Sequence, residues 1–154
     1  MGFSKESDFE QALIDLLKNY GWEREVIKNP TEGELIQSWA NILYENNRGK
    51  EVSLKIYEGR EIAAGQSRYQ IAEQPEFPTK SKILNDRRGY LMLLINGMPV
   101  IHIELKKSGV PVSQASNQIE KYADEGIFSG LFALVQIFVA MNPEETLYFA
   151  NPGP

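Results

Sequence analysis

The chain contains no cysteine, which excludes disulfides and thiolate metal sites. No apolar run approaches the ~20 residues that a bilayer-spanning helix needs. The opening Met-Gly-Phe-Ser-Lys-Glu-Ser lacks the apolar core of a secretory signal. Ser4-Lys5-Glu6 after Gly2 fits a myristoylation signal poorly. The expectation is a cytoplasmic protein with no membrane partner. Positive charge is also in short supply: 16 Lys and Arg stand against 21 Asp and Glu, for a net charge of −5. A free-standing nucleic-acid binder is usually basic, so the global balance argues mildly against one. The distribution is less uniform. Lys80, Lys82, Arg87 and Arg88 cluster just before the apolar stretch that starts at Leu91, and Lys106-Lys107 close that stretch. Charge alone reads these as a solvated rim.

What is present is ordinary globular composition, 42% apolar and 24% charged over 154 residues. That length suits a single domain, residues 1–154, with a full core. The organising stretch runs from Leu91 to Lys106. It reads as two apolar strands joined by a tight Asn96-Gly97 turn. Side chains alternate along a strand. Ile101, Ile103 and Leu105 therefore enter a core, and His102, Glu104 and Lys106 share the other face. Charges on such a strand need a partner or a metal, because burying each alone costs several kcal/mol.

Around this hairpin, Ser7 to Glu10 reads as a capping box for a helix carrying Phe9, Leu13, Leu16, Leu17 and Tyr20. Trp22 to Ile27 suggests a short strand. Thr31 to Glu34 is a second capping box, for a helix with Leu35, Trp39, Ile42 and Leu43 on one stripe. Val52, Leu54 and Ile56 alternate as in a strand, and Arg68 to Ala72 forms another. Ser113 caps a helix running to about Glu125. Leu134 to Met141 is uninterruptedly apolar, as in a strand buried on both faces. Thr146 to Ala150 is a last short strand. The order predicts an α/β fold with a mixed central sheet flanked by helices.

A Glu-x-Lys at the end of a central strand, followed by a helix, is an arrangement suited to phosphodiester hydrolysis. Glu104 can bind Mg²⁺ or Mn²⁺, hard ions that take oxygen ligands, and the Leu105 carbonyl can be a second ligand. Lys106 can activate a water or steady the phosphate. The tripeptide also occurs in strands and helices with no site. Gln118 and Tyr122, four apart on one helical face, can reach that strand end or a DNA phosphate.

Glu104-Leu105-Lys106 followed by Gln118-x-x-x-Tyr122 resembles the PD-(D/E)xK nucleases of the RecB-like branch. Over Phe3 to Pro152 the chain resembles the N-terminal nuclease domain of the restriction subunit of type I restriction-modification enzymes. The matching blocks are Trp39 to Arg48, Leu94 to Pro99, Ile103 to Lys107, Asn117 to Tyr122 and Tyr148 to Asn151. The resemblance implies a restriction-endonuclease-like fold and Mg²⁺-dependent, nonspecific cleavage of double-stranded DNA. It implies a larger subunit whose motor domains use ATP, with methylation and specificity subunits as partners. Glu104, Lys106, Gln118 and Tyr122 would be catalytic. Glu104, the Leu105 carbonyl and Glu10 would hold the metal, although Glu10 equally fits the Ser7 capping box. Lys107, Arg87 and Arg88 would meet DNA.

The chain departs from the pattern twice. The family's metal-binding Asp falls at Tyr90, and a neutral phenol is a poor Mg²⁺ ligand. Asp86 stands four residues upstream. At Lys50-Glu51 the family has a longer insertion. A three-residue loop, Ile95 to Gly97, would set Tyr90 opposite His102 and on the face of Glu104, whereas a two-residue loop would set it opposite Ile103. Glu104, Lys106 and Gln118 are expected in one cleft with Tyr90 at its edge. His102 reads as a packing or hydrogen-bonding residue. A non-catalytic module that binds DNA or docks other subunits is the alternative function.

Overall fold

A computed structural model describes residues 2–46, 67–77 and 90–152. The strand expected at Val52 to Ile56, the Lys50-Glu51 joint and Lys80, Lys82, Asp86, Arg87 and Arg88 lie outside the described residues. Helix α1 (Glu6–Asn19), strand β1 (Ile27–Lys28) and helix α2 (Glu32–Asn46) come first. Strands β2 (Tyr69–Glu73), β3 (Tyr90–Ile95) and β4 (Met98–Leu105) follow, then helix α3 (Val112–Asp124). A 3₁₀ turn (Gly130–Leu134) leads to β5 (Ile137–Met141) and β6 (Thr146–Ala150). The strands form one mixed sheet in sequence order, β1 to β6. The β1–β2 and β4–β5 pairs are parallel and the rest antiparallel. This is the expected α/β architecture, consistent with a restriction-endonuclease-like fold. Among the described residues no helix is long and apolar enough to cross a membrane.

The two faces of the sheet bury different elements. Ile71, Leu91, Leu93, Ile103 and Leu105 pack against Phe9, Leu13 and Ile14 of α1. Ala72, Met92, Leu94, Phe138 and Ala140 pack against Leu35 of α2 and Ala115 and Ile119 of α3. The period-2 pattern of β4 and the helical stripes of α1 and α3 thus select the same core.

The hairpin register corrects the expected one. Asn96 and Gly97 both have positive φ, 52° and 85°, and form a two-residue loop with Ile95 opposite Met98. The Asn96 side chain steadies the turn by accepting from the Arg68 amide at 2.9 Å. Pairing then slips, because Leu94 faces Pro99 while Leu93 faces Ile101, leaving Val100 as a bulge. Pro99 has no N–H to give the ladder, and proline within a strand is tolerated at such a break. The Val100 carbonyl accepts instead from the Gln136 amide, at 2.8 Å, where the chain enters β5. The bulge carries Tyr90 opposite Glu104. It faces neither His102 nor Ile103, yet it does share the face of Glu104.

Gly97 also lies under α2. A Cβ there would sit 2.8 Å from the Trp39 Cα, in a backbone conformation that side chains rarely adopt. Gly97→Ala is therefore expected to lower stability by about 2 kcal/mol in urea denaturation.

Three local expectations need correction. The N-cap of α1 is Lys5 without a side-chain cap, so Ser7 lies inside the helix and its capping box does not form. Pro111 rather than Ser113 precedes the first residue of α3, because proline's fixed φ suits a helix start. Leu134 belongs to the 3₁₀ turn, and β5 alternates between buried and part-exposed residues instead of being buried on both faces. The Thr31 cap does form, its hydroxyl accepting from the Glu34 amide at 3.2 Å.

Candidate functional site

Glu104 lies near the end of β4 and is 3% exposed. Its Oε1 is 3.0 Å from Nε2 of His102, two residues back on the same face. His102 is fully buried, and its Nδ1 has no hydrogen-bond partner among the described residues. Aromatic rings surround it: Phe128 at 5.1 Å, Tyr90 stacked at 5.7 Å, Phe77 at 6.1 Å and Phe138 at 6.2 Å. The role expected for His102, packing and hydrogen bonding, is the one it has. The Phe77 and Phe128 rings had no expected role. Neither belongs to a periodic pattern that would have marked it.

Tyr90 stands beside this pair, buried, with its hydroxyl donating to the Pro75 carbonyl at 2.8 Å. Burial first, and then the negative charge of Glu104, push its phenol well above the ordinary tyrosine range. It is held neutral, with its one proton spent on a backbone oxygen.

The remaining predicted residues divide between the faces. Gln118 and Tyr122 lie one turn apart on the buried side of α3. The Tyr122 ring meets the edge of Phe128, at 6.5 Å, which in turn packs on His102. Gln118 carries a buried Oε1 with no partner among the described residues. Lys106 follows the last residue of β4, and its amide donates to the Met141 carbonyl at 2.9 Å. Its ammonium lies 3.9 Å from a Glu6 oxygen at the start of α1. Lys107 is exposed. In place of an open cleft, Glu104 is enclosed. A cavity of about 420 Å³ opens elsewhere, at the start of β2 beside α2, lined by residues such as Arg68, Gln70 and Glu34.

Glu10 reaches the same end of the sheet from the other face. Freed from a capping role, it is buried in contact with Glu73, the last residue of β2, and Gln74, which follows it. Glu73 pairs with Leu91, whose side chain belongs to the α1 layer. Burial first, then the hydrogen bond and repulsion from Glu73, raise the Glu10 carboxyl from 4.5 to about 8. Glu73 escaped sequence reading because the predicted strand ended at Ala72.

The Glu10 shift has a definite sign. The folded state holds a proton that the unfolded state releases above about 4.5. The stabilisation is complete below that pH and is lost as pH rises toward about 8. Thermal melts across this range should show falling Tm, and Glu10→Gln should flatten the profile and raise Tm at its alkaline end.

These residues do not fit a magnesium ion as they stand. Such an ion takes one or two carboxylates with several water or phosphate oxygens. One Glu104 oxygen is engaged by His102, the phenol of Tyr90 is protonated, and Glu10 is protonated at neutral pH on the α1 side. Among the described residues no three His, Asp or Glu side chains form a group able to hold a metal.

The N-terminal family model of type I restriction enzyme R proteins matches residues 3–154. A type I restriction enzyme endonuclease subunit of Staphylococcus aureus strain COL is 33% identical over 191 aligned positions, covering 98% of this chain and 20% of that protein. One from Staphylococcus saprophyticus is 25% identical with the same coverage. The EcoprrI endonuclease subunit of Escherichia coli is 48% identical over 61 residues, 38% of this chain. The chain thus spans about a fifth of the length of the curated relatives it matches. An alignment of 191 positions against 154 residues means that the Staphylococcus aureus relative carries residues this chain lacks.

Proposed function

Because the chain belongs to the family of type I restriction enzyme R protein N-terminal regions, we propose that it is the nuclease-fold domain of such a subunit with its hydrolytic site in a degenerate state. The observation that carries this reading is Tyr90 directly opposite Glu104, with its hydroxyl bonded to Pro75. The position that would supply a second hard ligand holds a neutral, buried phenol. In the wider subunit, cleavage of double-stranded DNA would follow ATP-driven translocation by motor domains. Methylation and specificity subunits would choose the target, and the assembly would work in the cytoplasm. Within it this domain engages DNA or neighbouring subunits, and Lys107, Arg87 and Arg88 are the residues proposed to meet phosphate. We assign no hydrolytic step, since the described residues do not complete a metal set.

The second reading is a working nuclease. The Glu104-Leu105-Lys106 sequence, with Gln118 and Tyr122 on the adjoining helix, favours it. Glu104 and the Leu105 carbonyl would then hold Mg²⁺ or Mn²⁺ with Glu10 or Asp86. Plasmid nicking by the chain across a Mg²⁺ and Mn²⁺ titration separates the two. The degenerate reading expects no nicking above background. Metal-dependent nicking that disappears in Glu104→Ala would overturn it.

A further inference from the structure

Strand β5 is apolar on both sides, yet among the described residues only one side is fully covered. Phe138 and Ala140 lie in the core beneath α3. Ile137, Val139 and Met141 point to the α1 face, where Ile137 is 37% exposed and the other two are half-buried. Across from them on β6 stand Ala150, Tyr148 and Thr146, in register with no break. Tyr148, opposite Val139, is 73% exposed. This face of the two strands therefore carries Ile, Val, Met, Thr, Tyr and Ala and no charge. A solvated sheet face alternates toward polar side chains. Among the described residues β6 is also the outer strand of the sheet, and it has none of the lysines, prolines or bulges that usually guard an exposed edge. Contiguous apolar surface of this kind marks an interaction site.

We propose that the α1-side face of β5 and β6 is the seat of the rest of the restriction subunit, the polypeptide that follows the matched fifth in the relatives. Continuity argues for that occupant. The relatives are about five times as long as their match to this chain, and the match is their N-terminal region. Ala150, the last residue of β6, lies on this face opposite Ile137. A chain leaving β6 therefore starts from the patch, and the segments after it reach the patch with little loop-closure entropy. The proposal rests on the family membership and is independent of whether the domain cuts DNA.

Hydroxyl-radical footprinting tests it on the unmodified protein. Oxidation of Tyr148 and Met141 is compared between the 154-residue chain and the full-length subunit containing it. Severalfold protection in the long form, with the chain alone monomeric in sedimentation, is the expected result. Tyr148→Lys should leave the Tm of the chain alone unchanged. In the full subunit it should expose the junction after β6 to protease and restore oxidation of Met141. Equal oxidation of Tyr148 in both forms would overturn the proposal. So would a chain that dimerises alone and loses that dimer in Tyr148→Lys, since the occupant would then be a second copy. Plasmid nicking, scored on the same samples, reports on the hydrolytic reading separately.

Discussion

Tyr90→Asp is expected to convert a domain that we propose to be degenerate into a less stable, metal-responsive one. The phenol is buried, stacks on His102 and donates to the Pro75 carbonyl. Removing a buried aromatic ring typically costs about 3–5 kcal/mol. The new carboxyl would also face Glu104 across the β3–β4 ladder, and two carboxylates in one apolar site repel. At about 2–4 °C per kcal/mol for a chain of this size, Tm should fall by roughly 10 °C. The repulsion that destabilises the empty site is what a divalent cation relieves. A ligand at 100 times its dissociation constant restores about 2.7 kcal/mol. Mn²⁺ should therefore raise the Tm of Tyr90→Asp and leave that of the parent chain unmoved. Plasmid nicking should appear in the variant with Mg²⁺ or Mn²⁺ and vanish when Glu104→Ala is added. A folded Tyr90→Asp chain that neither gains Tm with metal nor nicks DNA would show that more than one ligand has been lost. The degenerate reading would then extend to the whole site.

The sequence made the face of Tyr90 legible but not its partner. Asn96-Gly97 announced a hairpin, and alternation placed Glu104 away from the Ile103 core. The register depended on Pro99, at whose break the ladder slips by one residue and moves Tyr90 from opposite Ile103, where the two-residue loop alone would set it, to opposite Glu104. A local turn motif cannot report such a slip, because it arises where the strand must also hand the Val100 carbonyl to Gln136. Glu10 shows the same division. Its position one turn into a helix is periodic and readable, whereas its burial against Glu73 depends on β2 packing under α1, a contact between segments far apart in the chain. The doubly apolar run at β5 was read as full burial, which the described residues provide on one face only. The Phe77 and Phe128 rings that pack on His102 come from loops, where no hydrophobic period exists to follow.

Glu104 gives the other large effect, and its sign separates a structural carboxylate from a solvent-facing catalytic one. A carboxylate held in an open, electrostatically unfavourable cleft loses little or no stability on truncation. Here Glu104 and His102 are both in the interior with 3.0 Å between Oε1 and Nε2. Removing one member of a buried pair leaves the other without its partner and typically costs about 3–5 kcal/mol. Glu104→Ala should therefore lower Tm by about 10 °C or more in the chain alone, without metal or DNA. Glu104→Gln keeps an amide within reach of Nε2 and should lose about 1 kcal/mol. Exchanging both partners for apolar residues, His102→Leu with Glu104→Met, should recover most of the Glu104→Ala loss, since no orphaned polar group remains. The double-mutant cycle then yields a coupling energy above the few tenths of a kcal/mol expected for independent sites. A neutral Glu104→Ala would place the carboxylate in solvent and favour the working nuclease. A large loss with strong coupling to His102 would show that Glu104, the position the resemblance assigns to a metal ligand, serves in this chain as part of the core.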